Sequence, residues 1–249
     1  HEEIFNKREK PFGSLASRTL GDMYAAKDSA RSGLELAYDS ILRGKDGLTH
    51  RQKVMNKYLN IVDRAPIDGS DIVSTIDLGM QDICEKALLD ELKQVNAQMG
   101  VAILMEVKTG DVKAIVNRTK CDDGQYREIR NDAVSMMMEP GSVFKTASFL
   151  VAFDDGYLHM NDHIDTGNGV YDMHGRLMKD WNWHRGGYHT ISVPECLMYS
   201  SNVGVSRLID HYYFNQPGKF VDVLYRVGIA QNLHLEIPGS GHPWIRHPK

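Results

Sequence analysis

The chain is 249 residues long, 42% hydrophobic and 25% charged, which excludes disordered, collagenous and low-complexity classes and fits one large globular domain or one and a half. Lys plus Arg number 29 and Asp plus Glu 33, a net charge of −4, which speaks against a nucleic-acid surface because such surfaces carry a basic excess. No apolar run approaches the roughly 18 residues needed to cross a bilayer, and the N-terminus carries no signal-peptide pattern.

Residues 1–70 are polar and weakly periodic, with turn signals at Pro11-Phe12-Gly13, Arg43-Gly44-Lys45-Asp46-Gly47 and Asp68-Gly69. Leu34, Tyr38, Ile41 and Leu42 fall at helical spacing and predict a short helix over 29–43. The segment is too thin in apolar residues to hold a core and reads as a pedestal or linker. Residues 72–76 read as a strand, and Asp77 as the N-cap of a helix over 78–96 that buries Ile83, Ala87, Leu88, Leu92 and Val95. Two apolar β runs, 101–107 and 111–117, form a hairpin through Thr109-Gly110, and 118–135 is a polar connection.

Glu139-Pro140-Gly141-Ser142 opens a helix over 142–154, with Phe144, Ala147, Leu150 and Val151 buried and Gly156 closing it. Residues 157–190 read as a long loop with short strands. Ser192-Val193-Pro194-Glu195 starts a helix to Tyr199. After a break at Ser200-Ser201, further helices cover 202–213 and 218–227, the last ending at Gly228. Helices with one hairpin make the class α+β or α/β, not all-β. The cysteines, Cys84, Cys121 and Cys196, are odd in number and include no CxxC pair, so they form neither a disulfide framework nor a zinc site. Three free thiols fit a reducing compartment slightly better.

The sharpest chemical feature is Ser142-Val143-Phe144-Lys145. A serine hydroxyl needs a base to become a nucleophile. On a helix, residues i and i+3 share a face, so Lys145 reaches toward Ser142 from the next turn. Lysine acts as a base only when neutral, and burial together with the positive end of a helix dipole favours that form. The Ser142 backbone N–H also offers one oxyanion donor. About one Ser-x-x-Lys arises by chance in a chain this long. The placement after Glu-Pro-Gly, at a helix start with apolar flanks, separates this match from a surface pair. The second feature is Ser200-Ser201-Asn202, at a break between helices: Ser200 can pass a proton to a leaving amine, and the Asn202 amide can donate to and accept from a peptide group. Helix capping is the bland reading of these residues.

Together the two motifs resemble the active-site signature of penicillin-binding proteins and serine β-lactamases. Glu139 to Lys145 looks like the nucleophile segment of class B penicillin-binding proteins, the monofunctional transpeptidases of cell elongation and division. Val107-Lys108-Thr109-Gly110-Asp111-Val112-Lys113-Ala114 is similar to the hairpin that begins their transpeptidase sheet, and Ser200-Ser201-Asn202-Val203-Gly204 to their second motif. Phe12 to Arg18, Gly33-Leu34-Glu35 and Leu42 to Gly47 look like the end of their non-catalytic N-terminal module.

The resemblance implies a β-lactamase/transpeptidase-like α/β fold. Residues 1–70 would be the end of a pedestal or dimerisation module, and 71–249 the N-terminal and helical part of the transpeptidase domain. It implies a peptidoglycan D,D-transpeptidase with Ser142 as nucleophile, Lys145 as base, Ser200 as proton relay and Asn202 as a contact to a substrate amide. The implied partners are peptidoglycan stem peptides, β-lactam antibiotics and other cell-wall or division membrane proteins, with no nucleic acid. The implied place is the cell membrane, with an anchor upstream of His1 and the catalytic domain outside the cytoplasm. No cofactor is expected, and no metal either: His159, His163, His174, His184 and His189 form no helical His-x-x-x-His pair and no HExxH.

The family's third motif, Lys-Thr/Ser-Gly, does not follow the second. Lys108-Thr109-Gly110 has its letters but precedes the nucleophile, in a hairpin turn. The expectation is therefore a fold incomplete at its C-terminal side with little activity, since one lost oxyanion donor alone costs about 10²–10³ in rate. A β-lactamase or β-lactam sensor, disfavoured by the pedestal, and a non-catalytic scaffold, disfavoured by the intact constellation, are the competing readings. Asp180-Trp181-Asn182-Trp183 reads as a loop pinned by two aromatics.

Overall fold

The structure, a computed structural model, describes residues 9–23 and 29–248. The chain divides into two compact units, His1–Met136 with His234–Gly241, and Met137–Leu233 with His242–Lys249.

The first unit opens with α1 (Ser17–Leu20), β1 (Asp22–Met23), β2 (Ala30–Ser32), α2 (Gly33–Ala37) and α3 (Asp39–Leu42). The helix expected over 29–43 is thus a strand and two short helices, interrupted where Tyr38 takes φ −113° and ψ 18°. Gly33 sits at φ +65°, and a Cβ there would stand 2.5 Å from the Thr19 carbonyl oxygen, so this turn requires glycine. β3 (Leu48–Val54) and β4 (Lys57–Arg64) pair antiparallel in a hairpin that the sequence reading did not foresee. Its turn, Met55-Asn56, places Met55 at φ 54°, and β3 is exposed along its whole length.

The strand expected at 72–76 does not form. The segment is instead tied alongside the next sheet: the Thr75 hydroxyl donates to the Val112 carbonyl at 2.8 Å, and the Asp77 N–H to the Lys113 carbonyl at 2.9 Å. α4 (Leu78–Gln94) starts as expected at Asp77, whose carboxylate accepts the Met80 N–H at 2.8 Å. Its buried face is only partly the apolar one the sequence suggests: Leu92 is buried and Leu88 half-buried, but Ile83 and Val95 are 67% and 58% exposed, Ala87 is exposed, and Gln81 is buried. The reason is Gln81. Its amide donates to the Ile115 carbonyl at 2.9 Å and accepts the Ile115 N–H at 2.8 Å, so a fully satisfied polar group docks the helix on the sheet.

That sheet runs β5-β6-β7, all antiparallel, from β5 (Met99–Met105), β6 (Val112–Lys120) and β7 (Tyr126–Arg127), and α5 (Asp132–Ser135) follows. The polar connection expected over 118–135 is therefore partly ordered as a third strand and a helical turn. Lys108-Thr109-Gly110 lies in the β5–β6 turn, with the Thr109 hydroxyl on Glu106 at 3.1 Å and Gly110 at φ +80°.

Glu128, 8% exposed, ties residues 17–18 to this sheet. It accepts from the Ser17 hydroxyl at 2.7 Å, the Arg18 N–H at 3.0 Å and the Asn117 amide at 3.3 Å. Truncating a buried acceptor strands all of its donors. Glu128→Ala will therefore lower stability by about 2 kcal/mol in denaturant unfolding, whereas an Asp71→Ala control at an exposed position will stay within about 0.5 kcal/mol.

The second unit begins with a 3-10 turn, Gly141–Val143, that runs into α6 (Phe144–Asp154). Next come β8 (His163–Asp165), β9 (Val170–Met173), β10 (Arg176–Lys179), a 3-10 turn at Trp183–Arg185 and β11 (Thr190–Ser192), with β8 paired to β11 and β9 to β10. α7 (Val193–Met198), α8 (Asn202–Tyr213) and α9 (Pro217–Arg226) complete it, close to the helices expected. α7 opens with a capping box in which Ser192 and Glu195 satisfy each other's N–H groups. The core gathers Phe149, Val151 and Ala152 of α6 with Ile191, Val193, Cys196, Val205, Leu208, Val223 and Leu224. Leu150, expected inside, is 48% exposed, while Ser148, two residues earlier, is buried. The Ser148 hydroxyl donates to the Phe144 carbonyl at 3.1 Å, which makes its burial tolerable and sets the buried side of α6.

Candidate active site

The site is built where α6 starts and where α7 gives way to α8. Gly141, at φ +61°, makes the left-handed step that follows Pro140 and leads into the 3-10 turn. Ser142 lies in that turn and is exposed, and Lys145 lies three residues on, in the first turn of α6, half-buried. Backbone N–H groups in the first turn of a helix lack intrahelical acceptors, so the one at Ser142 is free for an anionic oxygen.

Lys145 is aimed at the bend between α7 and α8. Its ammonium donates to the Ser200 carbonyl at 2.6 Å, the Ser200 hydroxyl at 3.0 Å and Asn202 Oδ1 at 2.6 Å. Among the described residues, no hydrogen bond joins Lys145 to the Ser142 hydroxyl. Lys145 is thus in direct contact with Ser200 and Asn202, and Ser142 stands three residues before it, in the 3-10 turn that runs into α6. Catalytic hydrogen bonds are commonly long before substrate binds.

The bend is unusual in its backbone. Ser200 is held at φ 52°, a left-handed conformation that costs a non-glycine residue about 1–2 kcal/mol. Several contacts hold it there. The Ser201 N–H donates to the Cys196 carbonyl at 2.9 Å, and the Asn202 amide to the Lys179 carbonyl at 2.7 Å. Ser201, fully buried, caps α8 by accepting the Gly204 N–H at 2.8 Å. Its hydroxyl donates to the carboxylate of Asp180, 3.0 Å from each oxygen, and the Val203 N–H reaches Asp180 Oδ1 at 3.0 Å. Asp180 is 1% exposed.

Burial pulls the Lys145 ammonium below the ordinary lysine value, while the negative Asp180 pulls it back up. Cys196 sits under the bend with its own thiol pushed up to about 12, chiefly by burial. It is therefore neutral at ordinary pH.

Sequence reasoning gave Asp180 only to a pinned loop. The pinning is real on its aromatic side: Trp181 Nε1 donates to the Tyr188 hydroxyl at 2.5 Å, and Tyr188 stacks on Tyr199 with ring centres 4.9 Å apart. Burial of a carboxylate has no mark in a one-dimensional pattern, although an Asp preceding two tryptophans was a usable hint. Of the histidines, His163 bonds the Asn161 carbonyl and His174 bonds Asp210 while stacking on Phe214. Among the described residues, no group of three His, Cys, Asp or Glu is placed to hold a metal ion. No helix among them is long and apolar enough to cross a membrane.

Residues 100–245 match the family described as "Penicillin binding protein transpeptidase domain". The chain is 27% identical to a probable peptidoglycan D,D-transpeptidase, PenA, of Neisseria meningitidis, across 97% of this chain and 42% of that protein. It is 29% identical to the peptidoglycan D,D-transpeptidase FtsI of Buchnera aphidicola, across 94% of this chain and 40% of that one. In fold it resembles Penicillin Binding Protein 2X of Streptococcus thermophilus, with a TM-score of 0.70 at 21% identity, across 94% of this chain and 37% of that one. The chain thus spans about two fifths of the length of the curated relatives it matches. With more than half of its length inside the family's domain, the chain belongs to the penicillin-binding protein transpeptidases, among the class B members.

Proposed function

We propose that this chain carries the serine nucleophile and proton-handling groups of a peptidoglycan D,D-transpeptidase. The observation that supports this most is the Lys145 ammonium, three residues after Ser142 in the chain and hydrogen-bonded to the Ser200 and Asn202 side chains. Ser142 Oγ attacks the penultimate D-Ala carbonyl of a stem peptide as Lys145, in its neutral form, takes the hydroxyl proton. The Ser142 N–H bears part of the negative charge that develops on the carbonyl oxygen. Lys145 and Ser200 pass the proton to the departing D-Ala amine as the C–N bond breaks, leaving an ester on Ser142. An amine from a neighbouring stem then attacks the ester. Its proton returns along the same route, the new amide cross-links the two stems, and the Ser142 hydroxyl is restored. Asn202 holds a peptide group of the donor stem. A β-lactam, whose strained amide replaces the D-Ala-D-Ala bond, acylates the same oxygen.

In this reading residues 1–70 are the end of a non-catalytic pedestal and 71–249 the first part of the catalytic domain. The protein works outside the cytoplasm on an N-terminal anchor, beside other cell-wall or division membrane proteins. The test uses the protein as its gene encodes it. After incubation with a fluorescent penicillin, peptide mass spectrometry will find the penicilloyl group on Ser142 alone. An adduct on another residue, or none on a folded sample, would remove this assignment. Continuous turnover of nitrocefin would point to a β-lactamase instead.

A further inference from the structure

Every acceptor that Lys145 uses, the Ser200 carbonyl, the Ser200 hydroxyl and Asn202 Oδ1, belongs to one short bend. That bend contains a backbone conformation that Ser200 would not choose, and such strain persists only where the surroundings over-determine it. The surroundings converge on two consecutive residues at the end of β10. Lys179 takes the Asn202 amide on its carbonyl. Asp180 takes the Ser201 hydroxyl and the Val203 N–H on its carboxylate. Asp180 is itself fixed at both backbone ends, its N–H donating to the Gly169 carbonyl at 2.9 Å and its carbonyl accepting the Trp183 N–H at 3.2 Å. The carboxylate also lies at the N-terminus of the twelve-residue α8, where the helix dipole favours negative charge.

The groups that act electrostatically on Lys145 are Asp180, just after β10, and Cys196, on α7. The Cys196 thiol is neutral, and the Lys179 ammonium is engaged 4.3 Å from the centre of the Trp183 ring. Among the described residues, no charged side chain of α6 itself, or of α8 and α9 that pack on it, contributes. Asp180 therefore supplies the negative charge against which the lysine must lose its proton.

We propose that Asp180 is the positioning residue of this site: its buried carboxylate clamps the 200–202 bend in its strained form against Lys145 and is the counter-charge to the ammonium. The assignment rests on the transpeptidase reading for its kinetic consequence, but its electrostatic half does not. Asp180→Asn keeps the shape and most hydrogen-bonding capacity and removes the charge. Ser201→Ala keeps the charge and removes one arm of the clamp.

Both are made in the protein as its gene encodes it. The acylation rate with a fluorescent penicillin is measured against pH, and the Lys145 ammonium is titrated by NMR of ε-13C-lysine, assigned with Lys145→Arg. In Asp180→Asn the Lys145 titration and the acidic limb of the acylation profile move together to lower pH, by about one unit. The plateau rate falls about tenfold or more as the bend relaxes. In Ser201→Ala the plateau falls comparably while the titration stays at its wild-type position. An Asp180→Asn protein with an unmoved Lys145 titration and a wild-type plateau overturns the proposal. If that variant does not fold, a folded Ser201→Ala protein with wild-type rate overturns it. A wild-type protein that is not labelled on Ser142 removes the transpeptidase reading, and the NMR titration still decides whether Asp180 governs Lys145.

Discussion

Lys145→Arg will slow acylation of Ser142 by a β-lactam about 10³-fold or more, in the range expected for loss of a general base. Arginine is the informative replacement. It keeps a positive charge and ample donors for the Ser200 carbonyl, the Ser200 hydroxyl and Asn202 Oδ1, the three acceptors that hold the lysine. A guanidinium does not give up its proton in proteins. If Lys145 were only a cationic tie between α6 and the bend, arginine would preserve most of the rate, and a near-wild-type rate would remove the base assignment. The pH dependence carries the same logic. In the proposed mechanism the reactive form is the neutral amine, whose share grows as pH rises through the lysine's pKa. Burial lowers that pKa, so the rising limb begins below the ordinary lysine range. In the arginine variant that limb disappears. Stopped-flow acylation from neutral to alkaline pH reads both effects.

Gly204→Ala will cost about 3 kcal/mol in thermal unfolding and about a hundredfold in acylation. A Cβ on residue 204 would stand 2.7 Å from Cys196 Sγ and 3.0 Å from Ser201 Oγ. Neither neighbour can retreat cheaply, because Cys196 and Ser201 are both fully buried. α7 and α8 must part, and the movement passes through Ser201 into the bend that serves Lys145. Removing the sulfur by Cys196→Ala in the same molecule will recover the portion of the loss due to Sγ and leave the portion due to Ser201. A double-mutant cycle with a favourable coupling above about 1 kcal/mol is the expected result. Strict additivity, or an unchanged unfolding temperature in Gly204→Ala, would show that the helices have room.

The second unit was largely legible from the sequence because its punctuation is local. Ser192 with Glu195, Gly156 and Gly228 mark helix ends by chemistry that acts within a few residues. The β3–β4 hairpin was not, for two reasons. Its turn carries Met55 at positive φ where Gly or Asn would have advertised it, and with both faces exposed it has no apolar alternation to read. Residues 72–76 look like a strand by composition, but β propensity is realised only where a ladder partner is available. In α4 and α6 the periodicity located the helices and misjudged particular positions, with Ile83, Ala87, Val95 and Leu150 turned outward. Gln81 and Ser148 occupy core positions through hydrogen bonds that pattern reading cannot count. The same limit applies at the site. Ser142, Lys145, Ser200 and Asn202 stand in contiguous motifs, and the structure brings the last three into contact. Asp180 lies 20 residues before Ser200, and the hydrogen bonds that hold it at the bend leave no mark in a sequence pattern.

Cys196 bears on a question that counting thiols left open. Oxidants react with thiolates, and a sulfhydryl with no solvent exposure whose pKa is pushed up to about 12 offers essentially none at physiological pH. Such a cysteine persists reduced in an oxidising compartment as readily as in a reducing one. An unpaired, buried sulfur of this kind therefore carries no information about where the protein resides.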